Sequence, residues 1–184
     1  MVEISLHILD IVQNSVRAKA SLIEISVIED TSSNLLTVRI SDNGCGMSEE
    51  FLNDVTNPFR TSRTTRKVGL GVPMFKNAAE QTGGSFEISS KLGEGTVVEA
   101  KFVYDSIDRQ PLGDMAFTMV TIVNSDPDID YVYTHTFNGL SFDFDTRQIR
   151  ETLGSEVPLT EPQVLSWIED YINSETENIY GGIQ

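Results

Sequence analysis

The chain has 184 residues, 39% of them hydrophobic, and a formal net charge of −15. That charge is uneven: residues 1–104 carry 10 basic and 13 acidic side chains, whereas residues 105–184 carry 3 and 15, with no lysine. So acidic a half repels phosphate backbones and argues against nucleic acid; no apolar run is long enough to span a membrane; and one cysteine, Cys45, excludes an internal disulfide or cysteine metal site.

Met1-Val2-Glu3-Ile4-Ser5 shows no signal-peptide pattern, so a cytoplasmic protein is expected. Residues 5–18 space Leu6, Leu9, Ile11, Val12 and Val16 as a helix does, with Ser5 as its cap. Two strands follow, 22–28 and 34–40, separated by a Thr31-Ser32-Ser33-Asn34 turn. The glycine-rich run Asp42-Asn43-Gly44-Cys45-Gly46-Met47 precedes a short helix opened by Ser48. Residues 53–69 lack periodicity and carry Arg60, Arg63, Arg66 and Lys67, the pattern of a functional loop. A helix over 70–82 tolerates Pro73 in its first turn and stops at Gly83-Gly84. Strands are expected over 85–90 and 96–104, then a linker over 105–113 and a helix over 115–124 capped by Asp114. Asn138-Gly139 between two alternating runs predicts a hairpin with a type I′ turn. A short helix over 146–153 should stop at Gly154, and a longer one over 161–175 carries a Thr160/Gln163 capping box.

Four segments carry chemistry. Asp10 and Asn14 lie one helical turn apart, so a carboxylate and a carboxamide share a face; the first can polarise a nucleophile and the second can ligate a hard cation. Asp42-x-Gly44-x-Gly46 follows a strand and offers a carboxylate to an exocyclic amine beside a backbone that a flat ligand can approach. Gly69-Leu70-Gly71 opens a helix, whose amides and dipole favour an anionic phosphate. Gly93-x-Gly95-Thr96 is a tight turn that places a hydroxyl at the start of a strand. Each alone is a weak signal, since glycine pairs mark ordinary turns and an exposed Asp/Asn pair is ordinarily solvated. Cys45 reads as a small residue packed beneath its loop, His7 as a partly buried structural histidine, and Trp167 with the aromatic residues at 131, 133, 137, 142 and 144 as core or packing face.

Together and in this order, the four segments resemble the GHKL (Bergerat-fold) ATPase/kinase superfamily, which includes gyrase-type ATPases, histidine kinases, mismatch-repair ATPases and anti-sigma-factor serine kinases. The resemblance covers roughly residues 5–103. Asp10-Ile11-Val12-Gln13-Asn14-Ser15 is similar to the family's N-box, Asp42 to Met47 to its G1 box, Gly69-Leu70-Gly71-Val72 to its G2 box and Gly93-Glu94-Gly95-Thr96 to its G3 turn; Asn57-Pro58-Phe59-Arg60-Thr61-Ser62-Arg63 resembles the Pro-Phe stretch that opens the ATP lid in kinase-like members. The resemblance implies an α+β protein: a Bergerat-type α/β sandwich, with a mixed, mostly antiparallel sheet and helices on one face. Residues 1–105 would form the ATP-binding domain and residues 106–184 an acidic α+β appendage whose hairpin either extends the sheet or forms a small lobe.

The resemblance also assigns roles. Asn14 would hold Mg²⁺ bridging the phosphates of ATP. Asp42 would bind the adenine amino group, Gly44 and Gly46 would admit the purine, and Thr96 would support it. Arg17, Gly69, Leu70 and Gly71 would contact phosphates, with Arg60 and Arg63 as lid contacts. Asp10 would be the general base, standing where hydrolysing and serine-kinase members carry a carboxylate, usually Glu, and histidine kinases usually carry Asn. Lys67-Val68 replace the usual Gly-Thr before the G2 box, and Val72-Pro73 replace a Leu and a small residue, so phosphate binding should differ in detail. Asn14 lies too near the start to leave room for a phosphoacceptor domain, and neither His7 nor His135 has a neighbouring acidic residue, so a complete sensor kinase is not expected. The expected function is a stand-alone regulatory phosphotransferase of anti-sigma serine/threonine-kinase type, or an ATPase. The alternatives are an ATP-sensing module with little turnover and a histidine-kinase catalytic half acting on another chain. A protein partner is expected for the C-terminal region.

Overall fold

The computed structural model describes residues 3–56 and 70–181. Within them run α1 (Ile4–Arg17), β1 (Leu22–Asp30), β2 (Leu35–Asp42), α2 (Glu49–Val55), α3 (Gly71–Gln81), β3 (Ser85–Lys91), β4 (Gly95–Val103), α4 (Met115–Ser125), β5 (Asp130–Phe137), β6 (Leu140–Asp145), α5 (Thr146–Leu153) and α6 (Pro162–Gly181). The six strands make one sheet in the order β3-β4-β2-β1-β5-β6. Every neighbouring pair is antiparallel except β1 and β5, which run parallel with Ile23 opposite Tyr131. The fold is the expected α+β sandwich with a mixed, mostly antiparallel sheet. The hairpin extends the sheet, with Asn138 and Gly139 at φ +47° and +87° in its turn.

Period-two burial shows which face is covered. Ile23, Ile25 and Val27 of β1 and Leu36, Val38 and Ile40 of β2 are buried beneath helices, while Glu24 and Ile28 on the alternate face are exposed. α1 contributes Ile4, Ile8, Ile11 and Val12, α3 contributes Phe75, α4 contributes Met119 and Ile122, and α6 contributes Ile168 and Ile172. The core continues without a break under β5 and β6, where Tyr131, Tyr133, Phe142 and Phe144 are buried.

Two caps differ from the sequence expectation. Ser5 lies inside α1, not at its cap, which is Glu3, whose side chain takes no backbone N–H of the helix. Instead the free N–H groups of Ile4 and Ser5 donate to the carbonyls of Pro111 (3.0 Å) and Leu112 (2.8 Å), so the segment joining β4 to α4 closes the helix end. In α6 the helix begins at Pro162, which places Glu161 and not Thr160 before it; the Val164 N–H donates to the Glu161 carbonyl at 2.9 Å, and the Thr160/Gln163 box is out of register by one. α6 also continues past 175 to Gly181, because Ile179 repeats the buried stripe of Ile168 and Ile172.

The last turn of α6 is fastened to the sheet by a buried polar cluster. Glu29, at the end of β1, receives the Tyr180 hydroxyl and lies 2.8 Å from His135 Nε2. His135 Nδ1 is 3.0 Å from the Tyr133 hydroxyl. Burial pushes the Glu29 carboxyl up, but the hydrogen bonds from His135 and Tyr180 outweigh it and hold the group below its ordinary value. An ionised Glu29 only accepts, so the imidazole donates to it from Nε2.

Candidate nucleotide site

At the opposite end of the sheet, α1, β2, β4 and the loop after β2 enclose a cavity of about 680 Å³, within the range of small-molecule sites. Its apolar walls come from Ile11 of α1, Ile40 and Val98 of the sheet, Ile88 of β3, and Met47, Phe51 and Val55 around α2. Its polar side chains include Asn14, Ser15 and Arg17 from α1, Asp42 from β2 and Thr96 from β4. Asp42 reaches the cavity because it continues the inward series Leu36, Val38, Ile40, and Thr96 stands directly across the ladder from it.

The Asp42 carboxylate is held on both oxygens. Oδ2 accepts the Ser15 hydroxyl at 2.6 Å and Oδ1 accepts the Gly44 N–H at 2.8 Å. A carboxylate has about four acceptor positions, so its orientation is fixed while capacity for a ligand donor remains. Beside it, Ser90 Oγ takes the Met47 N–H (2.8 Å), donates to the Gly95 carbonyl (2.9 Å) and lies 2.8 Å from Thr96 Oγ1. With its one proton on Gly95, Ser90 accepts from Thr96, whose lone pairs are then free. This end of the cavity therefore presents acceptors and suits a flat ligand that carries an amine.

Of the residues singled out in the sequence, Asn14, Arg17, Asp42, Gly46 and Thr96 line this cavity together. Arg17 is exposed and its Nη1 donates to Asn14 Oδ1 at 3.4 Å, a long bond that leaves the guanidinium at the mouth. Asp10 does not line the cavity. It is exposed on α1, and its Cβ lies 3.0 Å from where a Cβ on Gly71 would stand, so it abuts the first turn of α3. Leu70 is 58% exposed and precedes α3, with its carbonyl accepting the Met74 N–H at 3.0 Å. Arg60, Arg63 and Gly69 lie outside the described residues. Among the described residues no cluster of three His, Cys, Asp or Glu side chains could hold a metal alone. Asn14 supplies one carboxamide oxygen, which fits a cation that draws its other ligands from water and phosphates, as Mg²⁺ does.

The glycines of the loop after β2 serve the protein's own packing. Gly46 has φ +67°, and a Cβ there would stand 2.0 Å from the Lys91 carbonyl oxygen; a Cβ on Gly44 would meet Ala18 at 2.8 Å. Cys45, expected beneath the loop, is exposed and lines the cavity, because the positions on either side of it turn inward against Ala18 and Lys91. His7 is a structural residue as expected: it is buried, stacks on Phe75 at 5.4 Å and meets Gln110 at 3.0 Å. Ser15 and Ser90 carried no role in the sequence reading. Ser15 follows Asn14 on the side of α1 that faces β2, and Ser90 ends the inward series Phe86, Ile88, so a hydroxyl closing an apolar stripe was the available signal.

No helix among the described residues is long and apolar enough to cross a membrane. Comparison of the sequence with known proteins places the chain in a family. Residues 2–106 match the model of the "Histidine kinase-, DNA gyrase B-, and HSP90-like ATPase" family. A putative sensor protein of Shewanella frigidimarina is 32% identical over 52% of this chain and 15% of its own length. The sensor histidine kinase YvrG of Bacillus subtilis is 29% identical over 48% of this chain and 16% of its own. The chain thus spans about a sixth of these curated relatives. The Aquifex aeolicus MutL ATPase domain complexed with ADP superposes with a TM-score of 0.49 at 15% identity, covering 81% of this chain and 68% of that one. Through residues 2–106, which make up more than half of it, the chain belongs to the histidine kinase-, DNA gyrase B- and HSP90-like ATPase family and carries a histidine kinase-like ATP-binding domain.

Proposed function

We propose that the chain binds Mg-ATP in this cavity and acts as a regulatory phosphotransferase, a serine/threonine kinase of anti-sigma type, or as an ATPase, in the cytoplasm. The adenine amine would donate to Asp42 and to Thr96, Asn14 would hold Mg²⁺, and Arg17, Leu70 and Gly71 would line the path of the phosphates. The lid arginines Arg60 and Arg63, with Gly69, complete this proposal. One observation carries the choice of chemistry: the Asp10 carboxylate abuts the first turn of α3, a helix N-terminus whose dipole favours a phosphate. A carboxylate beside the terminal phosphate can take the proton of a serine hydroxyl or of water as the oxygen attacks phosphorus.

In this proposal residues 1–105 are the nucleotide-binding unit and residues 106–184 face a protein partner. A second reading, a catalytic half that phosphorylates a histidine on another chain, draws support from the sensor histidine kinase among the relatives. The test is incubation with γ-labelled ATP and cell extract, using wild type and Asp10→Asn. Acid-stable label on a serine or threonine that is lost in Asp10→Asn supports the first reading. Acid-labile label supports the second. Binding without turnover in either protein leaves an ATP-sensing module and removes Asp10 from the mechanism.

A further inference from the structure

The side of α6 that borders β6 carries an aromatic pair, exposed Trp167 on half-buried Tyr171. Trp167 is 52% exposed, and its ring stacks on Tyr171 with centroids 5.2 Å apart and planes 13° from parallel. The pair is anchored: the Tyr171 hydroxyl donates to the Asp143 carbonyl of β6 at 2.8 Å. Immobilising these rings in the free protein lowers the ordering cost of any partner that covers them. Exposed tryptophan and tyrosine are also the side chains that most often dominate binding energy.

The surroundings of the pair are negative. Asp170 lies three residues from Trp167 on the exposed side of α6. Partial burial, with the nearby charges of Glu175 and Asp143, holds the Tyr171 hydroxyl above its ordinary value. Residues 105–184 contain only three basic side chains, and each is engaged elsewhere. Arg109 bonds the Tyr104 carbonyl and lies over its ring, Arg147 pairs with Asp145, and Arg150 pairs with Asp130 and the carbonyl of Ile129. No cation of this region therefore covers the indole or neutralises the carboxylates around it.

We propose that the Trp167–Tyr171 face of α6, with Asp143, Asp170 and Glu175, docks an arginine- or lysine-rich segment of a protein partner. A guanidinium would stack on the indole face while the carboxylates take its N–H groups. The occupant follows from charge complementarity: a pre-stacked aromatic platform beside carboxylates that no basic side chain of residues 105–184 neutralises attracts a cation and repels an acidic peptide or a second copy of this −15 chain. This deepens the reading that residues 106–184 face a partner, and it is independent of the nucleotide.

Trp167 is the only tryptophan, so its emission reports on this face alone. The experiment titrates the full chain with a short arginine-rich peptide and with the same peptide carrying citrulline at every arginine. The arginine peptide should change the emission saturably, more weakly as salt rises, and the citrulline peptide should not. By calorimetry, Trp167→Leu should weaken binding about three- to fivefold, and Asp143→Asn/Asp170→Asn/Glu175→Gln by at least about fivefold. The same binding in Asp42→Ala separates this face from the nucleotide site. Equal binding of the citrulline peptide, no saturable emission change, unchanged affinity in both variants, or burial of Trp167 by self-association without peptide would each overturn the proposal.

Discussion

Two carboxylates occupy the helix-covered face of the sheet at opposite ends of the β1–β2 pair. Asp42 stands beside Ile23, and Glu29 beside Leu36, about 20 Å away along the strands. Both carboxylates accept hydrogen bonds from neighbouring side chains. The difference lies in what surrounds them. Glu29 is sealed between β5 and α6, with His135, Tyr133 and Tyr180 in one closed chain of donors and acceptors. Asp42 is fixed by Ser15 and Gly44 but opens onto a cavity. The first arrangement spends a buried charge on holding the C-terminal helix in place; the second keeps an oriented acceptor available to a ligand.

The largest effect should come from opening the closed end. Glu29→Ala removes the shared acceptor of His135 and Tyr180 and should destabilise the fold by about 3 kcal/mol, lowering the midpoint of thermal unfolding by roughly 6–12 °C. A midpoint unchanged from wild type would mean that the cluster fastens nothing. At the open end, Gly46→Ala places a methyl on the Lys91 carbonyl at a φ of +67° and should cost about 2 kcal/mol in a urea titration.

Smaller still is Ser15→Ala, which frees one oxygen of Asp42. Nucleotide affinity should fall by about 1 kcal/mol, with Ser15→Thr restoring it. The smallest effect concerns pH and lies outside both carboxylates. Burial holds the His7 ring below its ordinary 6.5 despite its bond to Gln110 and the charge of Asp10. The neutral ring's contribution is complete above pH 6.5 and is lost as pH falls through the lower folded value. Unfolding midpoints between pH 7.5 and 5.5 should therefore decline in wild type and decline less in His7→Gln.

Most strands and helices were legible because their signals are local: alternation in β1 and β2, the Asn138-Gly139 turn, and Asp114 accepting the Phe117 N–H at 2.8 Å. What escaped depends on partners distant in the chain. Ser5 is not a cap because Pro111 and Leu112 close α1, and the last turn of α6, which carries the buried stripe on to Ile179, is fastened where Tyr180 finds Glu29. At the site, the cavity brings together Asn14, Arg17, Asp42 and Thr96, which the motifs had named. The Ser15 and Ser90 hydroxyls that orient this end were hidden, since a hydroxyl's partner is set by the register of β2, β3 and β4 and not by neighbouring residues.

The central claim is that Asp42, and not the equally fixed Glu29, faces the nucleotide. Calorimetric titration of Mg-ATP into wild type, Asp42→Ala and Glu29→Gln tests it directly. The account predicts at least a tenfold loss of affinity in Asp42→Ala, about 1.4 kcal/mol, and wild-type affinity in Glu29→Gln. Equal affinity in wild type and Asp42→Ala would contradict it.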